Sequence, residues 1–164
     1  MARDTPPATA AVRALRQHGV AFTHHPYEYE ERGGTSVSAR ELNVPEHAVI
    51  KTLVMEDDAK RPMVVLMHGD REVSTKALAR ILGVKTVTIC APAIADRHSG
   101  YQIGGTSPFG TRRAMPTYME RSIAALAYLY VNGGRRGYLV GMLPADLTRV
   151  LTPVLVDVAI VRSE

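Results

Sequence analysis

The sequence predicts an α/β chain built on a curved mixed sheet or barrel, with short helices. Three observations predict it. The 164 residues, nearly half of them apolar, suffice for one domain with its own core. Helical and strand signals alternate from end to end, with no internal repeat and no low-complexity linker. The strands are many and short and the long helices few, which suits a curved sheet better than a doubly wound one. Residues 1–164 are expected to form one domain.

In chain order, Thr5-Pro6 is the expected start of a first helix and Gly19 its stop. Residues 20–25 read as a strand, and Gly33-Gly34-Thr35 as a turn or mobile loop. Ser38-Ala39-Arg40-Glu41 fits a capping box, in which hydroxyl and carboxylate each satisfy an amide at the start of a short helix. After Pro45, residues 48–55 are the clearest strand, and the apolar run 63–67 can pair with it across a turn at 57–62. Residues 74–82 are a short helix closed by Gly83. A strand at 85–90 and a short helix at 92–97 follow. Residues 124–131 and 138–143 look like strands around a glycine-rich turn at 132–137. Residues 144–150 read as a helix and 154–161 as a last strand.

The formal net charge of +4 suits a polyanionic partner and equally a solvated basic surface. One cysteine, Cys90, excludes an internal disulfide; in the run Val87-Thr88-Ile89-Cys90-Ala91 it reads as a small buried hydrophobe rather than a nucleophile. No CxxC or HExxH spacing appears, and the six histidines are scattered, so neither a metal nor another cofactor is expected. The start, Met1 to Pro7, lacks the apolar core of a signal peptide, and no apolar run is long enough to span a bilayer. The expectation is a soluble, cytoplasmic protein without a membrane partner.

Three features carry candidate chemistry. Lys51 is an ammonium inside an apolar strand, sharing a face with Val49, Leu53 and Met55. Such a lysine snorkels, pairs or points into a cleft; an edge-strand lysine that blocks aggregation is the other reading. The loop from Gly100 to Gly110 holds paired glycines, Gly104-Gly105, followed by Thr106-Ser107-Pro108. Its amides suit an oxyanion or phosphate, and its glycines equally suit a tight connection. The turn Asn132-Gly133-Gly134-Arg135-Arg136-Gly137 reads as a phosphate site or as a solvated hairpin tip.

Together these features resemble the YbaK/EbsC family of bacterial tRNA deacylases over roughly residues 8–162. Val49-Ile50-Lys51-Thr52-Leu53 is similar to the family's strand with its essential lysine. Gly100-Tyr101 and Gly104 to Gly110 resemble its glycine-to-proline loop, and residues 131–137 its second glycine-rich turn. Tyr27 matches a position near the family's substrate pocket. The resemblance implies a strongly curved, β-barrel-like mixed sheet surrounded by short helices, similar to the editing insert of prolyl-tRNA synthetases.

The activity that the resemblance implies is hydrolysis of mischarged aminoacyl-tRNA, above all cysteinyl-tRNA made on proline tRNA, with the substrate thiol attacking its own carbonyl. Thr52 favours that branch, since relatives that clear alanyl-tRNA often carry asparagine there. The implied catalytic residues are Lys51, Gly104 and Gly105. The implied substrate contacts are Tyr27, Thr52, Thr106, Ser107, Pro108, Asn132, Gly133, Gly134 and Leu139. Arg112, Arg113, Arg135 and Arg136 flank the two loops as the candidate tRNA contacts. The implied partners are the acceptor end of proline tRNA and prolyl-tRNA synthetase. Leu139 departs from the family, which commonly has an aspartate there, and Asn132 stands where serine is frequent; the first bears on amino-acid specificity. Two other readings stand beside this one: a deacylase of the same fold for alanine or serine, and a non-catalytic module that binds tRNA or a synthetase.

Overall fold

The computed structural model describes residues 5–162. The expectations about the first four residues and the last two lie outside the described residues. The elements are α1 (Ala10–Gln17), β1 (Thr23–Pro26), α2 (Gly34–Leu42), β2 (Val49–Asp57), β3 (Pro62–His68), β4 (Arg71–Val73), α3 (Thr75–Leu82), β5 (Val87–Ile89), α4 (Pro92–Ser99), β6 (Thr117–Glu120), β7 (Leu129–Arg135), β8 (Tyr138–Met142), α5 (Pro144–Leu151), β9 (Val154–Val156) and β10 (Ala159–Val161). Short 3-10 turns occupy Glu46–Ala48 and Arg121–Ala125.

Eight strands form one mixed sheet in the order β1-β8-β7-β2-β3-β6-β9, with β5 attached to β2; β10 and β4 form a separate pair. Among the described residues the path ends at β1 and β9, so the sheet is open and curved rather than a closed barrel. The main core lies between one face of this sheet and α1 and α5: Ala11, Val12 and Leu15 pack with Leu66, Val131, Val140 and Leu147. A second cluster on the other face joins Met55, Val65 and Met67 to Leu78 of α3. A third and smaller one, Ala39, Val49 and Leu139, ties α2 to the sheet.

Several boundaries differ from the expectation, each for a local reason. The first helix is capped by Thr9, whose hydroxyl accepts from the Val12 amide and donates to the Gly133 carbonyl, so Thr5-Pro6 is not its start. Helix α2 begins at Gly34, not in a capping box at Ser38. Thr35 anchors that start through Glu46 and the Gly69 carbonyl, and Ser38 donates to the Thr35 carbonyl from inside the helix. Residues 121–125 form a 3-10 turn rather than the beginning of β7. The expected last strand splits, β9 joining β6 and β10 joining β4. The turn at 132–137 is mostly strand, with a bulge between Asn132 and Arg135. Strands β4 and β6 carry no pattern that announces them. As expected, Cys90 is buried, and desolvation followed by the nearby Glu56 pushes its thiol up to about 11.

Candidate active site

The sheet has a gap beside β2. Toward β3, the strand is paired without a break from Ile50 to Glu56. On its other edge β7 pairs only with Val49 and Ile50, and β5 only with Met55 to Asp57. Residues 51–54 therefore have no strand partner on that side. Successive residues of a strand turn their N–H and C=O groups to alternate edges. The Val49 carbonyl accepts from the Gly69 amide on the β3 side, and the Val54 carbonyl accepts from the Cys90 amide on the opposite side. The even-numbered residues thus face the gap, and Thr52 presents its backbone N–H and C=O to it.

A cleft of about 270 Å³ lies over this gap. It brings together Tyr27, Lys51, Thr52, Gly104, Thr106, Asn132 and Leu139 from four separated stretches of chain. Lys51 is half-buried and its ammonium donates to the Arg71 carbonyl, which leaves two of its three N–H groups for other acceptors. Burial pulls its pKa below the ordinary lysine value and Arg162 adds to this, while Glu72, Glu46 and Asp70 act the other way. The Thr52 hydroxyl is buried without a hydrogen-bond partner; Thr52 pairs with Leu66, which belongs to the main core. Thr52 therefore reaches the cleft with its backbone, not with its hydroxyl.

The two glycine-rich segments are fastened to each other. The Asn132 carboxamide accepts from the amides of Gly134 and Arg135 and donates to the Gly104 carbonyl. A Cβ on Gly104 would sit 2.7 Å from the Tyr29 hydroxyl, and one on Gly105 would sit 2.8 Å from the Arg136 nitrogen. These glycines permit close approach, as their pairing suggested, and what approaches is the rest of the protein. The Gly105 amide is already engaged by the Gln102 carbonyl, which corrects its reading as an oxyanion donor. Gly105, Ser107 and Pro108 are buried behind the cleft wall, Ser107 holding the Phe109 amide. Gly133 and Gly134 do not line the cleft either; Gly133 lies under the Tyr138 ring. These five support the wall without reaching the cavity.

The arginines separate into two sites. The Arg136 side chain donates to the Ile103 carbonyl and lies 5.1 Å from the centroid of the Tyr29 ring, closing the rim; Arg135 is exposed beside it. Arg112 and Arg113 sit at the loop's other end, their amides bound to the end of α4, and neither lines the cleft. Tyr29, Thr35, Ser38 and Ile103 also line the cavity, though the sequence marked Thr35 only as part of a turn and Ser38 only as a helix cap, and none of the four as a site residue. The available signals were the Tyr27/Tyr29 alternation and the glycine pair that starts α2. Leu139 belongs both to the cleft wall and to the small cluster with Ala39 and Val49.

The sequence profile of the aminoacyl-tRNA editing domain matches residues 30–150. The chain belongs to this family. Among relatives of this editing domain is EbsC of Enterococcus faecalis, named as a Cys-tRNA(Pro)/Cys-tRNA(Cys) deacylase. It is 28% identical over 143 residues, which cover 87% of each chain. A proline–tRNA ligase of Nitratidesulfovibrio vulgaris is 26% identical over 64% of this chain, which corresponds to 17% of the ligase. A crystal structure described as a trans-editing enzyme for prolyl tRNA synthetase superposes with a TM-score of 0.79 at 18% identity, covering 93% of this chain and 98% of the other. That likeness shows the fold. Membership in the family makes the chain an editing hydrolase acting on aminoacyl-tRNA. No helix among the described residues is long and apolar enough to cross a membrane.

Proposed function

We propose that the chain clears cysteine from mischarged tRNA, with proline tRNA as the principal substrate, and that the gap beside β2 holds the aminoacyl ester. The observation that carries this reading is the Thr52 peptide group, facing a small cleft beside Lys51 and the Gly104 loop. Bound there, the aminoacyl group continues the sheet by one residue. The Thr52 N–H donates to the ester carbonyl oxygen, and the Thr52 carbonyl accepts from the α-ammonium. A fixed donor at the carbonyl oxygen grows stronger as the oxyanion develops.

Among the described residues the cleft lining contains no cysteine nucleophile and no histidine to activate the Thr35, Ser38 or Thr106 hydroxyls, so in this reading the nucleophile comes from the substrate or from water. With cysteine, the substrate thiol bonds to its own carbonyl carbon, the ester C–O bond breaks, and the thiol proton reaches the departing ribose oxygen. Water then opens the resulting thiolactone to free cysteine. Holding thiol and carbonyl in contact supplies much of the acceleration. The Lys51 charge serves the oxyanion or the terminal phosphate; a loss in kcat marks the first and a loss in KM the second. EbsC supports the cysteine assignment, and the proline–tRNA ligase relative supports proline tRNA and its synthetase as partners.

Alanine is the second reading. Leu139 makes the wall apolar, and apolar walls separate a thiol from a methyl by only ~1–3 kcal/mol. The test is deacylation of proline tRNA charged with cysteine, alanine, serine or proline. Cysteine should be cleared fastest, with alanine next and proline spared. Clearance of proline, or of none above the uncatalysed rate, would refute the proposal.

A further inference from the structure

A second cavity lies across the sheet from the cleft. Leu139 and Asn132 are cross-strand partners and share the cleft face. Tyr138 and its partner Pro26, like His24 and its partner Val140, point to the opposite face. There a cavity of about 540 Å³ opens between the hairpin tip and the segment that leads into α1. It is lined by His24, Pro7, Arg135, Arg136 and Tyr138, with Gly137 at its edge. Tyr27 lines this cavity as well as the cleft. Its amide donates to the Gly137 carbonyl just past the end of β1, so it stands where the edge of the sheet separates the two.

We propose that this cavity takes the nucleotide preceding the terminal adenosine of the acceptor strand, the chain crossing the sheet edge at Tyr27. The inference rests on the editing reading of the cleft. The chemistry matches a single-stranded nucleotide: the His24 and Tyr27 rings with Pro7 and Pro26 for a splayed base, and the Arg135 guanidinium for its phosphate. Arg135 is exposed, and among the described residues it has no acidic partner within salt-bridge distance. An anion at the cavity mouth therefore displaces no existing pair. Connection through Tyr27 selects the nucleotide adjacent to the ester-bearing one. The pair Arg112 and Arg113, bound to the end of α4, lies off this path.

The test is a binding measurement that does not require hydrolysis. Fluorescently labelled CCA trinucleotide and adenosine monophosphate are titrated against the wild type and the double variant His24→Ala/Arg135→Ala, each checked for an unchanged melting curve. The wild type should hold CCA at least tenfold more tightly than adenosine monophosphate. The double variant should lose at least tenfold for CCA and no more than threefold for the mononucleotide. Equal affinity of the two ligands in the wild type, or equal losses in the variant, would overturn the proposal. Should the variant melt early, Arg135→Ala alone takes its place, with a threefold selective loss of CCA expected and no selective loss overturning it. Deacylation by the wild type is read separately, so failure of the editing reading would show there and not in this comparison.

Discussion

The two edges of β2 are built from the same nine residues and do opposite things. Toward β3 the ladder is continuous from Ile50 to Glu56, and the facing residues from Met63 to Met67 are all buried. On the other edge the ladder stops after Ile50 and resumes at Met55, and the residues between include Lys51, Thr52 and Leu53, all partly exposed. Backbone polar groups must be satisfied, by other backbone, by water or by a ligand. The closed edge satisfies them within the protein. The open edge leaves backbone groups, the N–H and C=O of Thr52 among them, for water or substrate. The cleft proposed as the site is thus a lapse in sheet pairing, framed by the Gly104 loop and α2.

The comparison is broken most strongly by one substitution on each edge. Leu66→Ala, on the closed side and fully buried, should cost about 2–5 kcal/mol in a denaturant titration, with the folded remainder still active. Lys51→Ala, on the open side, should lower kcat/KM by about 10²–10³-fold and leave the melting temperature within a few degrees. Wild-type activity in the lysine variant would remove Lys51 from the site. Leu139→Asp comes next in size. Leu139 is 4% exposed yet forms part of the cleft wall, so a carboxylate there has water on one side only and should cost about 2–3 kcal/mol. The same variant should raise the ratio of cysteine to alanine clearance, and an unchanged ratio would show that the wall does not sense the side chain. The smallest effect belongs to Thr52→Val. It removes a buried hydroxyl that has no partner, so stability should hold or rise by about 1 kcal/mol, and activity should stay within threefold. A large activity loss would instead assign the work to the hydroxyl.

What the sequence disclosed follows the same division. The apolar run at 48–55 with one lysine announced β2, because strand periodicity and a misplaced charge are local signals. Family likeness brought Tyr27, Thr52, Asn132 and Leu139 to the same site, and the structure places all four on the cleft. The gap itself was not legible, since it depends on where β7 and β5 end, not on any residue of β2. Strand β6 was missed because it pairs with β3 and β9, far away in sequence, and starts just after Pro116. Helix α2 was placed too late because two glycines, poor helix formers, open it and a long-range bond from Thr35 to Glu46 holds it there. Gly105 was read as a ligand contact because a glycine that meets a ligand and a glycine that meets Arg136 look the same in one dimension.

The most direct test of the open edge replaces a single atom. Substituting residue 52 with the α-hydroxy acid analogue of threonine turns its amide N–H into an ester oxygen and leaves the side chain and both sheet ladders in place. If the Thr52 peptide group holds the ester carbonyl, kcat for Cys-tRNA(Pro) should fall by about 10²–10³-fold with little change in KM or melting temperature. An unchanged kcat in the folded variant would contradict the account.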